Sequence, residues 1–163
     1  MVVIIMKTVI LNDIEQKIVQ YIARSRFEIN RQNGVKNSRK GKQSDHLTDL
    51  DGFGGEFAFC KLFNLYPDLE VKVTSQETDS GDCILNGHRI DIKTTKYKTG
   101  KLICALWKND EIDYYALMVG EFPKYEFKGF AKASDVKKEE NIVNLGRGKL
   151  YAMDQKTLIE KIS

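Results

Sequence analysis

The feature that most constrains this fold is a tight chain reversal predicted at Asn86-Gly87. Asn-Gly is a strong hairpin signal, because a two-residue type I′ turn needs a positive φ at both central positions. The turn also fixes the register of the flanking strands, so that Asp82 is expected to face Asp91. The sequence therefore predicts a hairpin that holds two carboxylates about 5 Å apart on one face.

A lysine accompanies this acidic pair. Side chains alternate along a strand, so Lys93 is expected on the face of Asp91, and Ile90 and Ile92 on the other face. Two adjacent carboxylates repel each other unless a cation lies between them, and Mg²⁺ prefers hard oxygen ligands of this kind. An arbitrary Asp-x-Lys is usually a solvated surface hairpin. The aspartate across the turn favours a metal site instead.

Two long helices are predicted before the hairpin, over residues 11–30 and 49–65. In the second, Glu56 is followed by apolar residues three, four and seven positions later, which places it on the apolar stripe. A carboxylate facing the core needs a partner. A glutamate in the first turn can also simply interact favourably with the helix dipole. Both explanations remain open from this helix alone.

The rest of the chain predicts further strands and short helices. Apolar runs indicate strands at 69–73, 102–107, 114–119 and 125–133, the last at a sheet edge, and a terminal helix is expected at 154–162. This order of elements indicates an α+β fold with an α/β-type core, in which helices pack on one mixed sheet. A length of 163 residues suits one domain over 1–163.

Two stretches carry candidate nucleic-acid-binding side chains. Residues 31–45 are mostly basic and small polar residues, and are expected to be a flexible basic loop. Such a loop is either a solvated linker or an arm that grips phosphate. The candidate phosphate ligands in it are Arg39, Lys40 and Lys42, and those after the hairpin lysine are Thr94, Thr95, Lys96 and Lys98.

The amino-acid composition says more about the cellular compartment of the protein than about its function. A net charge of +3 permits nucleic-acid binding without arguing for it. Cys60, Cys83 and Cys104 are widely spaced and odd in number, which indicates buried thiols in a reducing compartment, and no zinc spacing occurs. The apolar run before Lys7 is too short to cross a bilayer. A cytoplasmic protein with no membrane partner is therefore expected.

The motifs together resemble a known superfamily. A helix with Gly-Gly-Glu-Phe-Ala, then Gly-Asp, then Ile-Asp-Ile-Lys-Thr-Thr on a hairpin resembles the PD-(D/E)xK nucleases, the small phage and prokaryotic members above all. On this resemblance Asp82 and Asp91 are the acidic residues of the motif, Lys93 is its lysine and Glu56 is the helix glutamate. Gly81 stands where the motif has proline, a position that varies across the superfamily.

The resemblance implies a fold, an activity and a site. The fold is restriction-endonuclease-like, a mixed β-sheet flanked by helices. The activity is that of a Mg²⁺-dependent endonuclease, a hydrolase of DNA phosphodiester bonds, with Mn²⁺ as a substitute. Asp82, Asp91, Glu56 and the Ile92 carbonyl would hold the metal, and Lys93 would orient the attacking water. DNA is the expected partner, a homodimer is one way to cut both strands, and a prokaryotic or phage-infected cell is the expected setting.

Several functions remain open at this point. A junction-resolving or structure-selective enzyme competes with a restriction-type or nicking enzyme. A non-catalytic nucleic-acid-binding module that retains the nuclease fold is an alternative to either. In a third reading, a metal-free structural protein uses Asp82, Asp91 and Lys93 only as a charge cluster.

Overall fold

Both predicted long helices are present in the computed structural model. The structure describes residues 7–34, 45–72, 81–106, 111–146 and 148–163. The helices are α1 (Asp13–Gln32) and α2 (Asp45–Leu62). At the start of α1, the Asn12 side chain accepts a hydrogen bond from the Glu15 N–H at 2.9 Å, and the Glu15 carboxylate accepts one from the Asn12 N–H at 2.8 Å. This capping box satisfies N–H groups that the first helical turn leaves without partners.

The strands of the described chain form two sheets. In chain order they are β1 (Thr8–Ile10), β2 (Cys83–Leu85), β3 (His88–Thr95), β4 (Leu102–Ala105), β5 (Tyr114–Glu121), β6 (Lys124–Lys132), β7 (Ile142–Asn144) and β8 (Lys149–Met153). The central sheet has the order β1-β6-β5-β3-β2, with β3 and β5 parallel and the other neighbours antiparallel. A second sheet has the order β4-β8-β7. The mixed central sheet and the flanking helices confirm the α+β prediction.

The central sheet is covered on both faces. Ala116 and Met118 of β5 belong to a core shared with α1 and α2, whereas Tyr115 and Leu117 belong to a core shared with β4 and a short helix, α3 (Ala133–Val136). Side chains alternate along a strand, so a strand buried on both faces must be apolar at consecutive positions. This explains the unbroken apolar run of β5. The molecule therefore has three layers, with the second sheet opposite the long helices.

The prediction that β6 is an edge strand is wrong. It lies between β1 and β5, and the register shifts so that Gly129 faces Leu117 while Phe127 faces Met118. Lys128 is therefore the extra residue of a β-bulge. The bulge places Phe127 and Phe130 in the same core, although three positions separate them.

Two other predicted elements are absent from the described chain. The terminal helix is replaced by a 3₁₀ turn, Gln155–Thr157, after which Ile159 exchanges backbone hydrogen bonds with Phe130 at 2.7 and 2.8 Å. Residues 69–72 form no strand, and Arg26 donates hydrogen bonds to the nearby carbonyls of Asp68 and Glu70. Val73 lies outside the described residues.

The bounds of the basic loop also change. Residues 31–32 belong to α1 and residue 45 begins α2, so these positions are helical. The remainder of the predicted loop, residues 35–44, lies outside the described residues, as do Arg39, Lys40 and Lys42.

Candidate functional site

The hairpin has the register that the Asn-Gly turn predicts. Asn86 has a φ of 52° and Gly87 a φ of 79°, as a type I′ turn requires. The paired residues are Leu85 with His88, Ile84 with Arg89, and Cys83 with Ile90. Asp82 and Asp91 are therefore the next residues beyond the last pair.

Asp82 lies directly before β2 and occupies the adjoining edge of β3. Its N–H donates to the Ile90 carbonyl at 2.8 Å, and its Oδ2 accepts a hydrogen bond from the Ile92 N–H at 2.6 Å. The carboxylate thus replaces a strand partner. The N–H and C=O of one strand residue point to the same side, so the Ile92 carbonyl faces the same edge.

The two aspartates and the lysine form one cluster. Asp91 is only 3% exposed, and its carboxylate oxygen lies 2.9 Å from the Lys93 ammonium, which is 5.8 Å from the centroid of the Tyr115 ring. Burial raises the pKa of Asp82 well above its usual range, and the charges of Glu56 and Asp91 add to this effect. The Asp82 and Asp91 carboxyl groups are within hydrogen-bonding distance of each other. A pair this close shares a proton or needs nearby positive charge, part of which Lys93 supplies.

Glu56 faces this cluster from α2. Its side chain is 28% exposed, and burial raises its pKa to about 7. The positive charges of Arg26 and Lys93 lower that pKa, while the negative charge of Asp91 raises it. The carboxylate predicted on the apolar stripe is therefore directed toward the hairpin cluster rather than into bulk solvent.

Sequence reasoning missed Arg26 of α1. One guanidinium nitrogen lies 3.9 Å from the Glu56 carboxylate, while others donate to the carbonyls of Asp68 at 2.8 Å and Glu70 at 2.9 Å. The guanidinium carbon is 4.5 Å from the Phe53 ring centroid. Position 26 is three, four and seven residues after buried positions of α1, so an arginine on the buried stripe was the available signal. The hydrogen bonds to these carbonyls thus hold the positive charge of Arg26 beside Glu56.

Two glycines let α2 approach the sheet closely. A Cβ atom at Gly55 would lie 2.0 Å from Oγ1 and 3.0 Å from Cβ of Thr94 on β3, and one at Gly54 would lie 2.1 Å from the Tyr125 hydroxyl. The Tyr125 hydroxyl in turn donates to the Asp51 carbonyl at 3.1 Å. Because any side chain at these positions would push α2 away from the sheet, the glycines set the distance between Glu56 and β3.

A cleft opens between α2 and β3. It has a volume of about 180 Å³, and its lining includes Glu56, Lys93, Thr94 and Lys96. The Thr94 hydroxyl is buried and has no hydrogen-bond partner within the described chain. Lys96 and the predicted Lys98 are exposed. The last predicted ligand, Thr95, accepts a hydrogen bond from the Tyr97 N–H at 3.3 Å, so its hydroxyl supports the turn.

The cysteines are free thiols, as predicted from their spacing. Cys60 and Cys104 are buried, whereas Cys83 beside Asp82 is half-buried. The Cys83 thiol forms a hydrogen bond with Cys60, which raises the pKa of Cys83 and lowers that of Cys60. The Cys104 thiol lies 3.2 Å from the Tyr115 hydroxyl.

Comparison with known families gives one match, which runs over residues 1–163 and is described as a family of unknown function, DUF5843. The chain belongs to DUF5843. No curated protein and no solved structure matches it. None of the helices described in this DUF5843 protein carries an apolar stretch long enough to cross a membrane.

The acidic residues of this DUF5843 protein carry oxygen ligands of the kind that a hard divalent cation prefers. Their side chains are not arranged as a complete binding site. In the described ranges, no three histidine, cysteine, aspartate or glutamate side chains form a ready metal-binding group. Asp82, Asp91 and Glu56 nonetheless offer carboxylate oxygens, and burial, together with the neighbouring negative charges, raises the pKa of Asp82 and Glu56. A cation that drew Glu56 toward the aspartates would replace their protons and relieve their repulsion.

Proposed function

We propose that this protein is a Mg²⁺-dependent deoxyribonuclease that hydrolyses DNA phosphodiester bonds as an endonuclease. The observation that carries the proposal is the meeting of Asp82 with Asp91 beyond the hairpin ladder, beside Lys93 and opposite Glu56. We further propose that the core is restriction-endonuclease-like. The parallel pair of β3 and β5, with the hairpin on one side and α2 packed above it, supports that assignment.

Each residue of the cluster has a distinct role in this proposal. Asp82, Asp91, the Ile92 carbonyl and Glu56 would hold Mg²⁺, or Mn²⁺ in its place. The metal supplies charge that polarises the phosphate and makes bound water more acidic. Lys93, held 2.9 Å from Asp91, orients the attacking water and offsets negative charge that builds on the phosphorane. Arg26 keeps the Glu56 carboxylate directed at the cleft.

Phosphate is bound by groups that surround the cleft. The Lys96 ammonium lines the cleft and can donate to phosphate oxygens. The unpartnered Thr94 hydroxyl is buried under α2 and could donate to phosphate only after α2 moves. Lys98 extends the positive charge along the chain that leaves β3. These contacts position the backbone of the nucleic acid without reading its sequence. We therefore propose DNA as the partner and a structure-selective or nicking enzyme as its type.

The test is cleavage of plasmid, linear and branched DNA with and without Mg²⁺. Cleavage by the wild type should require Mg²⁺, and Lys93→Ala should lower its rate roughly 100-fold or more while DNA binding is retained. Lys138→Ala is the matched control, because Lys138 pairs with Asp135 at 3.2 Å beyond α3 and should leave cleavage unchanged. Equal cleavage by Lys93→Ala and wild type would contradict the proposal.

A second candidate is a non-catalytic nucleic-acid-binding module. It is favoured by the lack of a ready group of three ligating side chains among the described residues. The same assay separates the two candidates. Binding to DNA without cleavage at any Mg²⁺ or Mn²⁺ concentration would support the binding module, and Lys93→Ala would then affect only affinity. Absence of both binding and cleavage would leave the acidic cluster as a structural feature.

A further inference from the structure

An exposed tyrosine stands beside the cleft. Tyr97 follows β3 by two residues and is 60% exposed. Its neighbours Lys96 and Lys98 are also exposed. More exposed tyrosines occur elsewhere in the described chain, but Tyr97 is the one with a lysine on either side, which makes an apolar protein partner a poor match.

The turn that carries Tyr97 is held firmly. The Gly100 N–H donates to the Tyr97 carbonyl at 2.8 Å, and the Tyr97 N–H donates to the Thr95 hydroxyl at 3.3 Å. From the second sheet side, the Gln155 side chain donates to the carbonyls of Lys98 at 3.0 Å and Gly100 at 2.8 Å. The ring is therefore presented on a backbone fixed from two directions, which lowers the entropy cost of binding to it.

Lys96 connects the tyrosine to the catalytic cluster. Its ammonium lies 5.5 Å from the centroid of the Tyr97 ring, and the same side chain lines the cleft with Glu56 and Lys93. A phosphate held by Lys96 would thus have the aromatic ring within reach of the adjoining nucleotide. An aromatic ring beside a basic groove is the arrangement that proteins use to bind single-stranded nucleic acid by stacking.

We propose that Tyr97 is a stacking platform for an unpaired base next to the phosphate that is cleaved. This inference rests on the proposed nuclease function and specifies its substrate class. In a duplex both faces of a base are covered by its neighbours, so only an unpaired or terminal base offers a free face. The preferred substrate is therefore nucleic acid with a single-stranded segment at the cleavage site, such as a flap or a branch.

The experiment measures binding in a Lys93→Ala background, where DNA stays uncut. Four end-labelled probes are used: single-stranded DNA, single-stranded RNA, blunt duplex DNA, and the same duplex with a single-stranded flap. Fluorescence anisotropy in the presence of Mg²⁺ measures the affinity of the protein for each probe. Adding Tyr97→Ala should weaken binding of the single-stranded and flap probes roughly 5- to 150-fold and leave duplex binding nearly unchanged. Tyr97→Phe keeps the ring and should bind like the parent.

Tyr21→Ala is the matched control, because Tyr21 is 73% exposed on α1 and has no place in the cleft. The platform is overturned if Tyr97→Ala and Tyr21→Ala have equal effects, if Tyr97→Phe loses as much as Tyr97→Ala, or if duplex affinity falls by the same factor. Comparison of the DNA and RNA probes shows which nucleic acid the platform serves.

Failure of the proposed function has a different signature. If the Lys93→Ala parent binds none of the four probes, the nuclease proposal and the platform both fall. A different result would contradict the stacking platform alone. In that case the wild type cleaves DNA and the Lys93→Ala parent binds the probes, but adding Tyr97→Ala leaves the affinity for every probe unchanged. Thermal unfolding of each variant verifies that the substitutions leave the fold intact.

Discussion

The surroundings of Glu56 change its charge state near neutral pH. Burial and the Asp91 charge raise its pKa from 4.5 to about 7, against the lowering effects of Arg26 and Lys93. The folded protein therefore binds a proton that the unfolded chain has released at the same pH. This uptake contributes stability that is fully present below pH 4.5 and is lost as the pH rises through 7.

The Glu56→Gln variant isolates that contribution. Glutamine does not titrate, so the free energy of unfolding of the wild type minus that of Glu56→Gln should fall steadily as the pH rises from 4.5 to beyond 7. Urea unfolding of both proteins over this pH range, without divalent cations, measures the difference. A difference that is constant or rises with pH would contradict the prediction.

Asp82 carries a second prediction at the residue scale. Asp82→Asn removes one of two facing carboxylates but keeps an oxygen that can accept the Ile92 N–H. In the absence of metal, we expect its midpoint of thermal unfolding to equal or exceed that of the wild type above pH 7, since repulsion is relieved. The stabilisation that Mg²⁺ gives the wild type should be lost, because a ligand stabilises only the state that binds it.

Asp135→Asn is the control for this experiment. Asp135 is an exposed aspartate paired with Lys138, away from the hairpin cluster. The control protein should keep the full Mg²⁺-dependent shift, as measured by thermal unfolding in Mg²⁺ and in EDTA. A Mg²⁺ shift in Asp82→Asn as large as that of the wild type would remove Asp82 from the metal ligands.

At the element scale, the glycines of α2 decide how the helix meets the sheet. Gly55→Ala would force its new methyl group against the stiff, β-branched Thr94, and should cost roughly 1–3 kcal/mol in the free energy of unfolding. Gly52→Ala lies in the same helix with open space around it, so its helix propensity should make it neutral or up to about 1 kcal/mol more stable. Urea unfolding of both variants tests the pair, and equal effects would contradict it.

The elements with local signals were predictable and those with distant partners were not. The hairpin register follows from Asn86-Gly87, and α1 follows from its apolar period, because both patterns are complete within a short stretch. The terminal segment has a helical apolar spacing, yet Ile159 pairs with Phe130, which the spacing does not reveal. Arg26 was missed for the same reason, since its partners come from α2 and the segment after it.

At the scale of the whole molecule, β5 joins the two cores. Met118 packs toward the long helices and Leu117 toward the second sheet, and both are buried. Neither core can lose its packing without exposing a face of the same strand. The sequence predicted the α+β class but only one sheet, because the pairing of β4 with β8 joins distant parts of the chain that carry no shared local pattern.

This sharing predicts a single unfolding transition. Leu117→Ala and Met118→Ala should each cost roughly 2–5 kcal/mol, and each should shift one cooperative transition rather than split it. Urea unfolding followed by far-ultraviolet circular dichroism and by intrinsic protein fluorescence measures this, and the two signals should coincide in both variants. Separate transitions in Leu117→Ala alone would show that the second sheet unfolds independently.

The hydrogen bond between Asp82 and the Ile92 N–H has a consequence for behaviour at high concentration. A bare strand edge offers its backbone groups to any passing chain and so promotes aggregation. Here the Asp82 carboxyl group occupies that edge directly before β2 begins. The carboxyl group proposed to bind a metal thus also blocks self-association through β3. Its loss would expose an unpaired strand edge and would also weaken the site.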